Sequence, residues 1–562
     1  VFYLEEDSLD FALTHIMDRG DTDILPPAAE FEAVFDQWDE LRSFLCGSDL
    51  DNWSVRPLRR CLSPKRHLGL RICTQLDPLD SLVVTALVYE IGANLEASRV
   101  PRSQGIVHSH RFDPDETTGR FYAPDPNFST FRASSLDRAR TRGGFVVMTD
   151  ISDFYPRLYS HRLENALRPV AGSDDHARIV VKLLSQWNQS VSYGIPVGPA
   201  VFRLLAEIAI ADVDETLQSE GIEFCRYSDD YRLFVDNQRS AREALALLAN
   251  VLFKNHGLTL QESKTEIVPG VDFVNRFSTS ESDTLRQALE NRYQELVSSI
   301  DLSSGDALGA EGAPVELDPA PEIDDQLSDL DESVREFLLA SIEIRDYVEI
   351  RYDDLTEDQQ ALVDSMNIWE TLRSQLDGSE VFDVALVRFL LDQIVRLRLQ
   401  DPADTLRLGI QYLYPIFARL VKAVSIQAPD DEARRAELGS WLLGLFDDEI
   451  VGYLEYHRAW ILSVFSGDAS WNHKDILVST YNTNFDMFTR PETVLALGRA
   501  GMDHWFRVRK SEIMSLPVWE RRAFLAGAAC LPKDEAKHWY RSILPQLDPL
   551  ETAIARRSMK LV

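Results

Sequence analysis

FCRYSDDYRLFV, residues Phe224 to Val235, decides how the rest of this chain is read. Two short runs rich in aromatic and β-branched residues flank Ser228, Asp229 and Asp230, a group that favours turns. That pattern predicts a β-hairpin with acids at its tip. Adjacent carboxylates on a tight turn repel each other, and a divalent cation offsets the repulsion. Hard oxygen ligands of this kind suit Mg²⁺, which takes one or two protein carboxylates together with substrate phosphates. An ordinary acidic turn between surface strands can carry the same tetrapeptide, so the neighbouring segments decide.

A chain of 562 residues exceeds one ordinary core and predicts two or three domains. Its hydrophobic and charged fractions are those of a soluble globular protein, no apolar run is long enough to span a bilayer, and the first residues show no basic-then-apolar leader. Cys46, Cys61, Cys73, Cys225 and Cys530 are scattered without CxxC spacing, so a reduced, cytoplasmic protein free of structural zinc is expected. The net charge of −33 argues against broad duplex binding. Acid is concentrated in residues 1–50 and 301–400, however, while residues 51–200 carry a slight basic excess, so a confined nucleotide site is still allowed.

Residues 1–45 carry apolar positions at helical spacing in LDFALTHIM and FEAVFDQW. Lys65, Arg66 and Arg71 alternate with apolar residues, as on a hairpin presenting cations that would clamp phosphates. A helix follows from about Pro78 to Leu95, and residues 101–142 read as a long irregular insertion with modest strand content. Phe145–Met148 is a buried-strand run with Asp150 at its end, where a carboxylate is costly unless paired or metal-bound. Capping of the next helix by Asp150 or Asp153 is the plain alternative. The Gly194–Pro199 turn suits close approach of backbone to a ligand, and Arg203 and Glu207, four apart, suit a structural salt pair. Ser240–His256 reads as an amphipathic helix, and Lys264 stands between two strand-like runs.

In order along the chain, FVVMTDISDFYP, GIPVGPAVFRLLAE, RYSDDYRLFV and LTLQESKTEI resemble successive motifs of reverse transcriptases, and PKRHLGLRI resembles their fingers segment. RLLAE after GIPVGP, the DPLDSLVVTALVYEI helix and a long helical tail resemble the abortive-infection group of defence-associated bacterial reverse transcriptases. Two departures stand out: Val197 occupies the position usually held by Gln, and no obvious thumb or RNase H follows.

The fold this resemblance implies is α+β, a palm and fingers followed by an all-α HEAT-like repeat domain. The expected divisions are an N-terminal helical segment (1–50), fingers and palm (51–275), an acidic linker (276–330) and helical repeats (331–562). The resemblance also implies two-metal nucleotidyl transfer, with Asp150, Asp229 and Asp230 holding two Mg²⁺ ions and Lys264 protonating the leaving pyrophosphate. Lys65, Arg66, Arg71, Asp153, Tyr155, Pro196 and Gly198 would bind the nucleotide, Tyr155 as a steric gate favouring dNTPs. Implied partners are a single-stranded DNA product, covalently attached where a protein Tyr primes, a noncoding RNA, and further copies in a trimer or hexamer, with no membrane. A conventional RNA-copying enzyme of a mobile element and a catalytically idle scaffold stay open as alternatives.

Overall fold

The computed structural model describes residues 1–22, 24–64, 70–170, 174–189, 191–277 and 436–562, apart from 437–438, 441, 445, 448–451 and 468. Strands β1 (Arg59–Pro64) and β2 (Leu70–Gln75) form a two-stranded sheet, as do β3 (Phe112–Asp115) and β4 (Arg120–Tyr122). The central sheet has four antiparallel strands in the order β6 (Glu223–Tyr227), β7 (Asp230–Val235), β5 (Phe145–Asp150) and β8 (Glu266–Pro269). Both faces of its inner strands are covered, which is why FVVM and LFV read as unbroken apolar runs. Val146, Met148, Cys225 and Phe234 pack against Phe131, Ala139 and Phe273 from the helices Phe128–Arg142 and Gly270–Phe277. The helix Gln238–Val251 packs on β5 and β7.

The stretch 101–142 is more ordered than its composition implied. Besides the β3–β4 hairpin it holds the fifteen-residue helix Phe128–Arg142. Asn127 and Thr130 form a reciprocal capping box at its start, and Gly143, with φ 73°, ends it. Its buried stripe is Phe131, Ser135 and Ala139, two of them small, so the helix lies close to the sheet with little apolar signal in its sequence. The expected helix at Pro78 runs to Ala97, with Asp77 capping Leu79 N–H and Pro78 at the first helical position. The amphipathic segment after Ser240 forms an α-helix only to Val251 and closes with a π-turn, Leu252–His256.

Val1–Cys61, Ile72–Ser278 and Asp503–Val562 form one compact unit. The expected boundaries placed residues 331–562 together, whereas Asp503–Val562 group with Val1–Cys61 and Ile72–Ser278. Arg522, fully buried, donates from Nη1 to Asp77 Oδ2 at 2.6 Å. Trp519 Nε1 donates to the Pro57 carbonyl at 2.8 Å, and the Arg59 guanidinium lies 4.0 Å from the centre of the Trp519 ring. Arg557, on the last helix (Pro549–Leu561), pairs with Glu32 and Asp36. The second unit comprises Leu62–Arg71 and Thr279–Met502. Its described helices Glu455–Gly467 and Lys474–Thr483 both pack on Thr489–Arg499, and Arg458 ties Asp486 at 3.0 Å to Thr489 at 2.9 Å. The acidic linker and most of the expected repeat fall outside the described residues. Among the described residues no helix is long and apolar enough to cross a membrane.

Removing one partner of a buried ion pair leaves the other charge stranded. Arg522→Ala is therefore expected to cost about 3 kcal/mol or more, read by chemical denaturation. Arg522→Met combined with Asp77→Asn should lose clearly less; equal losses would contradict the pairing.

Candidate active site

The site is built by strand register. In the β5–β7 pair Met148 faces Arg232 and Asp150 faces Asp230. On its other side Met148 faces Glu266 of β8, the last pair of that ladder, and the same count carried two residues further brings Lys264 opposite Asp150. The 3₁₀ turn at Glu262–Lys264 then shifts the pairing by three residues, so that beyond it Ile151 pairs with Leu260. Thr149 and Thr265 hydroxyls meet at 2.7 Å, and Lys264 Nζ donates to Asp150 Oδ2 at 2.7 Å. Asp150 is held from behind as well, its carbonyl accepting from Gln261 N–H at 2.7 Å. Ile151 N–H donates to the Asp229 carbonyl at 3.1 Å, which carries the β5–β7 ladder past the strand ends. One row across the sheet thus reads Asp230, Asp150, Lys264, with Asp229 on the adjoining turn.

That turn is anchored from below by buried charge. Arg226, 1% exposed, donates from Nε to Asp214 Oδ1 at 2.8 Å and from Nη2 to Asp214 Oδ2 at 2.5 Å. Its Nη1 reaches Glu207 Oε2 at 2.8 Å and the Ser228 carbonyl at 2.9 Å. Arg99 Nη2 also donates to Glu207 Oε2, at 2.9 Å. Glu207 is thus committed to Arg226 and Arg99. Burial alone would push its carboxyl up, but the two guanidinium groups outweigh that and hold it well below the usual range.

Residues 124–305, about a third of the chain, match the family profile described as reverse transcriptase (RNA-dependent DNA polymerase). The match takes in the whole row of charged residues. The chain carries a reverse-transcriptase domain. Such a domain implies RNA-directed DNA polymerase-like activity on nucleotide and nucleic-acid substrates, and the family generally uses a divalent metal. No curated protein gives a significant match to the chain.

The other residues singled out in the sequence divide around this reverse-transcriptase site. Tyr155 lies within electrostatic reach of Asp229 and Arg203; burial above all pushes its hydroxyl up. Its carbonyl accepts from Ile195 N–H at 2.9 Å, and Leu158 O accepts from Gly194 N–H at 2.8 Å, so the Gly194–Pro199 turn braces the Tyr155 segment. Pro196 is buried in that turn. The close approach that Gly198 permits (φ 142°) is to the chain itself: a Cβ there would lie 2.6 Å from Thr74 O and 2.8 Å from Thr22 Oγ1. Asp153 is exposed, left-handed (φ 47°), and makes no side-chain cap to the short helix Phe154–Arg157. Arg71 is exposed on β2 in the second compact unit, and Lys65 and Arg66 lie outside the described residues. Besides Arg226, Asp214 and Arg99 beneath the turn, the sequence reading missed Arg232 and Ser109. Arg232 pairs with Asp230, a contact its i, i+2 placement on the same strand face would have suggested. Ser109, from the segment read as irregular, gave no sequence signal.

Three carboxylates of hard oxygen are a donor set that fits Mg²⁺. Among the described residues no three His, Cys, Asp or Glu side chains converge ready-made on one ion position; Asp150 is paired with Lys264 and Asp230 with Arg232. The repulsion that a cation would relieve is nonetheless present. Burial, then the Asp150 charge, pushes Asp229 up to about 7, and burial raises Asp230 against the pull of Arg232.

Between the ordinary 3.8 and about 7, folded Asp229 keeps a proton that the unfolded chain has lost, so stability falls as pH rises across that window. Asp80, pushed up to about 7 by burial and Asp77, and Asp21, pushed up to about 6 by burial, act with the same sign. His15, His108 and His110, lowered by burial, act with the opposite sign. The share of Asp229 in the melting-temperature slope between pH about 5 and about 7.5, measured in chelator, is therefore read as the difference between wild type and a variant without that carboxylate. Asp229→Asn should remove that falling share from the slope and raise the midpoint at the upper pH by roughly 2–4 °C. A slope identical to wild type would remove Asp229 from the linkage.

Proposed function

We propose that this protein is a DNA polymerase that adds deoxynucleotides by a two-metal route, in the manner of defence-associated reverse transcriptases of the abortive-infection group. The observation that carries the polymerase reading is the row Asp230, Asp150, Lys264 with Asp229 beside it, inside a reverse-transcriptase domain. Asp150 and Asp229 would supply oxygens to both Mg²⁺ ions, and Asp230 would assist on release from Arg232. Bound there, the ions would activate the attacking hydroxyl and stabilise charge on the departing pyrophosphate. Lys264, 58% exposed, has room to carry its proton from Asp150 toward that leaving group. Tyr155 would set its ring against a 2′-hydroxyl, with Asp153, Pro196 and Gly198 shaping the nucleotide's surroundings. Lys65, Arg66 and Arg71 remain the candidate cations for the triphosphate.

The defence assignment draws on the sequence resemblance: RLLAE after GIPVGP, the DPLDSLVVTALVYEI helix and the helical tail. Priming by a protein Tyr hydroxyl, direction by a noncoding RNA, HEAT-like stacking, homo-oligomerisation and a cytoplasmic location belong to the same reading. The idle-scaffold alternative draws on Lys264 and Arg232, which already neutralise two of the three acids.

Purified protein incubated with Mg²⁺ and each dNTP, with and without co-purifying RNA, is expected to make DNA. Asp150→Asn and Asp229→Asn should each lower incorporation by about 100-fold or more. Unchanged synthesis in either variant would refute the assignment, and no synthesis by wild type would favour the scaffold. Tyr155→Ala should raise rNTP use relative to dNTP by about tenfold; equal use of both by wild type would count against the gate. DNA that stays on the protein after denaturation supports protein priming, and free product rejects it.

A further inference from the structure

Ser228 has φ 54°, a left-handed backbone that residues with a Cβ adopt only where their surroundings hold them. Side chains hold both of its backbone polar groups. Its N–H donates to Ser109 Oγ at 2.8 Å, and its carbonyl accepts from Arg226 Nη1 at 2.9 Å. Ser109 Oγ donates in turn to Glu207 Oε1 at 2.6 Å, while Arg226 Nη1 reaches Glu207 Oε2 at 2.8 Å. The hydrogen bonds therefore close a ring from Ser228 through Ser109, Glu207 and Arg226 back to Ser228, with all four residues buried. The segment that brings Ser109 there runs parallel to β6, with Arg226 N–H on the Ile106 carbonyl at 2.8 Å and His108 N–H on the Arg226 carbonyl at 2.9 Å.

We propose that Ser109, Glu207 and Arg226 are positioning residues: their ring fixes Ser228 left-handed, so that Asp229 is delivered beside Asp150 instead of swinging away from it. None of the three touches the reacting atoms. Stability alone does not account for them, since well-packed apolar residues often replace buried ion sets at no loss. An apolar core cannot grip both ends of one backbone unit, and that is what this ring does. The inference rests on the polymerase reading above.

Ser109→Ala removes the hydroxyl that links the turn to Glu207 and leaves the Arg226 pairs with Glu207 and Asp214 in place. Ser228→Gly lets the turn keep its positive φ unaided. Ser109→Ala should lower kcat for dNTP incorporation about tenfold, with the KM for dNTP nearly unchanged, and should weaken Mn²⁺ binding by a similar factor in paramagnetic resonance titrations. In the Ser228→Gly background the same change should have little effect on either quantity. A merely structural role would lower the melting temperature and leave kcat and Mn²⁺ affinity per folded molecule at wild-type values; that result overturns the proposal. A loss as large with Gly at 228 as with Ser overturns it too. A wild type that binds Mn²⁺ but makes no DNA would remove the polymerase reading, and the Mn²⁺ affinities of the variants would still decide this one.

Discussion

Antiparallel pairing of β5 with β7 on one side and β8 on the other is the constraint from which the site follows. A strand's side chains alternate between faces, so a register fixed by buried residues also fixes which charged residues meet at the strand ends. Here helices cover both faces, and Val146, Val147, Leu233 and Phe234 are all buried. A slip of one residue would turn an apolar set against the wrong face. The register that packs Met148 between Arg232 and Glu266 is therefore the register that puts Asp150 between Asp230 and Lys264. Packing energy spread over the whole sheet thus sustains a local arrangement of like charges that would not form by itself.

Electrostatic cost is handled differently above and below the turn. Above it, Asp150, Asp229 and Asp230 are only partly compensated, by a half-exposed lysine and a neighbouring arginine, and their mutual repulsion persists as a raised Asp229. Below it, Arg226 is fully withdrawn from water but matched by Asp214, Glu207 and a backbone carbonyl, a near-complete set of acceptors for its fork. Satisfied charge in a low dielectric is rigid, and incompletely satisfied charge near solvent is reactive. The fold sets one directly beneath the other, with Ser228 as the joint.

The upper layer was legible in the sequence because its signals are local. A buried run ending in Asp150, an acidic turn between aromatic strands and a lysine between strand-like runs each fit within a dozen residues. The lower layer was not. Ser109 and Glu207 bond across 98 positions, and Ser109 reaches the Ser228 N–H across 119, so no window or period contains the ring. The helix Phe128–Arg142 was missed for a different reason: with Ser135 and Ala139 on its buried stripe, close packing replaced the large apolar residues that periodicity detects. At Gly198 the residue type was informative but its partner was not, because the backbone it approaches is the chain's own, at Thr74.

The chain's end changes how its helical part is to be understood. A repeat domain appended after a polymerase could be removed without disturbing the polymerase. Here the closing residues Asp503–Val562 return to the compact unit formed by the opening segments, through an arginine buried against an aspartate 445 positions away. In sequence, Thr279–Met502 is therefore an insertion between two parts of one unit. Because closure entropy grows only with the logarithm of loop length, a long insertion is thermodynamically tolerable. Cutting it out at either boundary is a different matter: loss of everything beyond residue 502 would leave Asp77, the cap of the central Pro78–Ala97 helix, buried without Arg522. The compact unit that carries Asp150 thus joins, through a buried ion pair, residues 445 positions apart in sequence.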